Sequence, residues 1–163
     1  MSAPAIPLKE FDQEMSATRR LLERIPSDRA EWKPHEKSFP LGHLTQLVAT
    51  MPGWIGRTLR QDFIDLQAGP GYSFEKTEAL VATFDRLVAE AREALQEVTG
   101  ARLEQPWQLR MGEQVLFTLP RGEVVRQHLN HFCHHRGQLT VYARLVDVPL
   151  PSLYGPTADE KWF

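Results

Sequence analysis

Between Arg121 and Asp147, the residues Val124, His128, His131, His135, Gln138, Tyr142 and Leu145 follow one another at spacings of four and three. With about 3.6 residues per turn, that rhythm keeps side chains on one line of an α-helix. It is the mark of a seam along which a helix packs on its neighbours. The two ends of this seam are apolar, and its middle is three histidines and a glutamine. Four of the chain's six histidines lie in the run HLNHFCHH, residues 128–135. His134 falls off the line toward a flank. The other three point inward in this projection and need partners, because burying an unsatisfied polar group costs about 1–3 kcal/mol.

The same helical period recurs along the chain. From Leu8 to Ile25, Phe11, Met15, Thr18, Leu22 and Ile25 keep the spacing, and Pro26 stops it. Residues 27–37 are polar and read as a loop. Ser38 is a good N-cap for a second helix with Pro40 in its first turn. That helix buries Leu44, Leu47, Met51 and Ile55, and Pro52 must kink or interrupt it, since proline removes a donor and clashes with the preceding turn. QAGPGYS, residues 67–73, is a loop. Thr77 caps a third helix that ends before Gly100. Residues 106–119 differ in kind: two short runs of strand-like residues flank Met111-Gly112-Glu113, as in a small hairpin or irregular crossover. The fourth helix runs from about Arg121 to Asp147, and the proline-rich tail after it reads as an ordered surface loop. The fold class expected is all-α: one domain over residues 1–163, an antiparallel four-helix bundle with a short irregular or hairpin segment before the last helix.

Charge narrows the function. With 19 basic and 21 acidic residues and a net charge of −2, the chain has no basic footprint for nucleic acid. No apolar run approaches membrane-spanning length, and MSAPAIPLKEF lacks the apolar core of a secretory signal. The single cysteine, Cys133, forms no internal disulfide. These features suit a cytoplasmic protein with neither membrane nor nucleic-acid partners.

His131 and His135 sit one turn apart with side chains leaning the same way, a geometry helices use to hold one divalent ion. Phe132 occupies the place where a zincin has its glutamate, so the general base of a metalloprotease is missing. His128 and His135 are about 10.5 Å apart along the helix, which is awkward for a single ion. A third ligand from a facing helix is more natural, and His43, four residues before Leu47, is the candidate. An ordinary, partly exposed histidine near a helix start is the equal alternative there.

Two stretches carry a resemblance. NHFCHHRGQLTVYARLVDVPLPSLYGPTADE (residues 130–160) resembles the C-terminal signature of the DinB-like superfamily, and WKPHEKSFPLGHLTQLVATMPGW (residues 32–54) resembles its second-helix region. The resemblance implies a four-helix bundle, commonly a homodimer. It also implies nickel, zinc or another divalent ion on three histidines, one on the second helix and a pair on the last. The activities it suggests are metal-dependent hydrolysis or thiol transfer on a small molecule, and the family name refers to induction by DNA damage. His131 and His135 match the pair. Leu47 stands where relatives carry the second-helix histidine, and His43 lies one turn earlier on nearly the same face. Three outcomes stay open: His43 as third ligand, His128 as third ligand, or a non-catalytic bundle that binds metal weakly or not at all.

Other residues invite bland and chemical readings alike. Arg136 could bind a substrate anion, although a surface or interhelix salt bridge suits it better. Gln138 could steady a ligand histidine. Cys133 and Tyr142 read as packing, and Trp54 and Trp107 as packing residues or the lining of a mouth.

Overall fold

The computed structural model describes residues 6–161 apart from Pro70 and Phe74. The reading of the first residues as lacking a signal, and the proline of the 67–73 loop, lie outside these. In chain order the elements are α1 (Leu8–Leu22), α2 (Leu41–Thr50), α3 (Pro52–Arg60), β1 (Phe63–Asp65), α4 (Thr77–Glu97), α5 (Gly100–Glu104), β2 (Pro106–Met111), β3 (Gln114–Pro120) and α6 (Arg121–Leu145). Short 3₁₀ turns occupy Ser27–Arg29 and Leu66–Ala68. No helix among the described residues is long and apolar enough to cross a membrane.

Helix boundaries follow local chemistry. Pro52 does interrupt the second segment: α2 ends at Thr50 and α3 starts on the proline, which is tolerated in a first turn because its missing N–H has no partner there. Ser38 is not the cap expected of it, since α2 begins at Leu41 after Pro40. Thr77 opens α4, but the capping oxygen comes from elsewhere: Ser27 Oγ accepts from the Thr77 N–H at 2.8 Å, while Thr77 Oγ1 donates to the Ile25 carbonyl at 2.6 Å. The chain that leaves α1 therefore seats the start of α4. α6 closes at Asp147, which takes a left-handed φ of 62° while the Val148 N–H returns to the Ala143 carbonyl at 2.9 Å.

The helices share one core. α4 packs against α1, α2 and α3, and α6 packs against α2 and α3 with a lighter contact to α1. Glycines let α3 approach α4 closely: a Cβ on Gly53 would lie 2.9 Å from Leu87 Cδ2, and one on Gly56 would lie 3.4 Å from the Ala91 backbone. The buried line of α6 is not the one its histidines mark. Val125, Leu129, Phe132, Arg136, Leu139 and Ala143 are buried, again at spacings of four and three, one residue further around the helix. The histidine stripe sits beside this seam, with His128 and His135 half-buried and His131 exposed. Arg136, 2% exposed, interrupts the apolar line and hides it from a reading by hydrophobicity. It is held by Glu14 Oε2 at 2.6 Å, Thr18 Oγ1 at 3.0 Å and the Tyr154 hydroxyl at 2.5 Å, which makes it an interhelix ion pair.

The all-α expectation needs correction. The chain is mostly helical but carries a three-stranded mixed sheet in the order β1-β2-β3. β2 and β3 form the antiparallel hairpin expected around Gly112, whose φ of +59° suits the turn. β1 adds in parallel to β2, Phe63 opposite Gln108 and Asp65 opposite Arg110. A hairpin alone is marginal in water. Here Asp65 Oδ1 accepts from the Gly112 N–H at 3.0 Å, and Trp107, fully buried, anchors β2 to the helices. Three residues leave too short a period for β1 to be seen in the sequence.

Breaking the buried ion pair tests its place in the core. Arg136→Met should cost about 3–5 kcal/mol in urea denaturation, because it strands the Glu14 carboxylate. Adding Glu14→Leu should recover most of the loss, and a single-variant cost below about 1 kcal/mol would show that the pair is dispensable.

Candidate functional site

α2, α3, α6 and the sheet line a half-open chamber of about 680 Å³. Leu47 and Trp54 come from the helices, Ile64, Leu109 and Phe117 from the sheet, and Tyr72 from the loop that follows β1. The polar groups facing it include His43, Arg57, Asp65, His128 and His131. Apolar walls around a few convergent polar groups are the ordinary build of a small-molecule site.

His131 and His135 meet as their i,i+4 spacing requires: their Nε2 atoms are 2.8 Å apart. Gln138 Oε1 lies 2.8 Å from His135 Nδ1, the position of an acceptor for that N–H. His135 Nε2 then carries a lone pair and accepts from the His131 Nε2–H. Burial and the neighbouring rings of His135 and His134 lower the His131 pKa.

His128 sits deeper. Its Nε2 is 3.0 Å from Thr58 Oγ1, and the rings of Trp54 and Trp107 flank it at centroid distances of 5.7 and 6.1 Å. Burial, assisted by His131 and Arg57, pulls its pKa down to about 4. His43 is placed differently again. Its ring lies between Phe39 at 4.3 Å and Tyr72 at 4.5 Å, and burial lowers its pKa. The structure thus puts His43 and His131 on the same chamber but does not draw His43 into the pair. No group of three His, Cys, Asp or Glu side chains arranged to hold a metal occurs among the described residues. The two paired imidazoles fit two positions of a divalent ion. The three-histidine arrangement does not fit this geometry, since Leu47 offers no donor, His43 is stacked between rings and His128 Nε2 is engaged by Thr58.

Fold and site define a mostly helical protein with a histidine pair beside a half-open chamber. The chain matches the DinB family model over residues 1–161 and belongs to the DinB family. Its relatives include the uncharacterized protein YrdA of Bacillus subtilis strain 168, 24% identical over 159 residues that span 95% of this chain and 89% of YrdA. The fold is shared with the crystal structures of two DinB-like proteins. YjoA of Bacillus subtilis has a TM-score of 0.71 and 19% identity, with 90% of this chain and 96% of that one covered. A Bacillus cereus protein has a TM-score of 0.72 and 20% identity, with 90% and 95% covered.

Two site residues escape a reading by motif. Thr58, fully buried, engages His128 across 70 positions of sequence, and nothing local announces it. Arg57 does leave a signal. Its helical neighbours three and four residues away are Gly53, Trp54, Arg60 and Gln61, so no acid lies within a turn to pair with it.

The depressed His128 pKa sets a pH dependence. The unfolded chain takes up a proton near pH 6.5 and the folded chain only near 4, so stability is full above 6.5 and lost as pH falls toward 4. The loss should reach about 3 kcal/mol across that window. Denaturation at a series of pH values should show this slope in the wild type and a clearly smaller one in His128→Gln. Equal slopes would remove His128 as its source.

Proposed function

We propose that this DinB-family chain is a divalent-metal-dependent enzyme acting on a small molecule held in the chamber. His131 and His135 would hold a nickel or zinc ion, leaving other positions of the ion open. The observation that carries the proposal is the 2.8 Å approach of their Nε2 atoms, with Gln138 oriented to fix the tautomer that leaves a nitrogen lone pair available. When bound, the ion supplies Lewis-acid polarisation of a substrate oxygen or sulfur, which suits hydrolysis or thiol transfer. The chain's own residues do the rest. Trp54, 5.7 Å from His131, gives the bound molecule a flat wall next to the pair. His128, uncharged at pH 7, presents a hydrogen-bonding ring without adding a second positive charge beside Arg57.

A second reading, a metal-free small-molecule binder, draws on Leu47, an apolar residue on the chamber wall at the position where the family resemblance implies a histidine. Metal analysis by mass spectrometry on untagged protein loaded with nickel or zinc separates the two. The proposal expects about one ion per chain, retained in His43→Ala and lost in His131→Ala and His135→Ala. No bound metal in the wild type would favour the binder. Loss of metal in His43→Ala would mean that His43 leaves its ring stack to serve as the third ligand.

A further inference from the structure

Taking the chamber as the ligand site proposed above, we infer that it selects molecules with an apolar body and a single carboxylate, and that Arg57 is the residue that reads the carboxylate.

The arginines of this protein are mostly spoken for. Arg60 pairs with Glu93 at 2.5 Å, Arg92 with Asp12 at 2.9 Å, Arg126 with Glu10 at 2.7 Å and Arg136 with Glu14 at 2.6 Å. Arg57 faces the chamber, and its guanidinium makes one weak contact, from Nε to the Gly53 carbonyl at 3.4 Å. No carboxylate pairs with it among the described residues, and the one influence on its pKa is burial, which lowers it. Arg57 is exposed as a residue, but a guanidinium at the edge of the chamber with most of its N–H donors unused is a site for a planar anion, which it can bind through two parallel hydrogen bonds.

The other chamber groups set the charge of the ligand. Asp65 also lines the wall, but its carboxylate is committed to the backbone N–H groups of Gln67 at 2.9 Å and Gly112 at 3.0 Å, which hold it ionised. Burial pulls the His128 pKa down to about 4, so that ring adds no positive charge near neutral pH. Asp65 is met by those two backbone N–H groups and by nearby Arg110, which leaves Arg57, among the described residues, as the one cation available to a monoanion. A phosphate dianion would meet Asp65 with too little positive charge to offset it. Leu47, Trp54, Ile64, Leu109 and Phe117 supply the apolar walls for the rest of the molecule.

The test uses metal-free protein in chelator, so that no ion can take the carboxylate. Benzoate, phenylacetate, 4-phenylbutyrate and octanoate are each titrated beside their neutral amides by saturation-transfer NMR, and the tightest binder is followed by calorimetry. At least one acid should bind about ten- to a hundredfold more tightly than its amide. Arg57→Gln should erase that preference, Arg57→Lys should keep part of it, and Arg86→Gln, at a surface arginine paired with Glu90, should leave it intact. Circular dichroism and the thermal midpoint check that the variants fold, and the acid-to-amide comparison on wild type stands even where a variant fails. Binding by none of the acids, equal binding of acids and amides, or a preference that survives Arg57→Gln would overturn the inference. So would acid binding that appears only with nickel added and vanishes in His131→Ala. That last result would assign the carboxylate to the ion and leave the metal proposal standing.

Discussion

The geometry of the site depends on one buried cation. Arg121, the first residue of α6, is fully buried and donates to the carbonyls of Thr58 and Gln61, with Asp62 Oδ1 2.8 Å from its other terminal nitrogen. The last carbonyls of α3 have no partner within their own helix. Their acceptor capacity is met by the guanidinium that starts α6, and a cation at a helix C-terminus also complements the helix dipole. α3 carries Trp54, Arg57 and Thr58, and α6 carries His128, His131 and His135. Arg121 therefore fixes the two helices end to start, and the Thr58–His128 contact repeats the tie two turns into α6. The positions of indole, guanidinium and imidazoles around the chamber follow from that joint.

Charge in this protein is sorted by depth. The ion pairs of Arg19 with Asp85, Arg86 with Glu90 and Arg92 with Asp12 lie at the surface, where they contribute little to stability. The deep cations, Arg121 and Arg136, are spent on structure, with the terminal nitrogens of Arg121 engaged and its Nε buried without a partner. Between these extremes burial lowers the pKa of His43, His128 and His131 along the chamber. A neutral imidazole can be a ligand or an acceptor, whereas a protonated one can be neither.

The helices were largely legible because a 3.6-residue period written over fifteen or more positions survives local exceptions, as in α1, α4 and α6. The face that each helix buries was harder to read. In α6 two stripes of equal spacing compete, and Arg136 disguises the buried one. Its burial is tolerable because of Glu14, which lies 122 residues away. Capping failed in the same way: Ser27 seats the start of α4 from across the chain, which no local pattern records. The His131–His135 pair was visible because its geometry is set by a single helix. The contacts His43–Tyr72, Thr58–His128 and Trp54–His131 each join separate elements, and so they appear only once the chain is folded.

The chamber has two kinds of wall. The helical one is built from the same segments that form the hydrophobic core, so a change there disturbs packing throughout. The sheet contributes Ile64, Asp65, Leu109 and Phe117, none of which belongs to that core cluster. The hairpin is tied to the helices chiefly through Trp107. Its other chamber-facing positions are free to diverge under selection for a new ligand while the helical frame stays under selection for folding. The architecture thus places part of what would touch a ligand on an element whose chamber-facing side chains the hydrophobic core does not need.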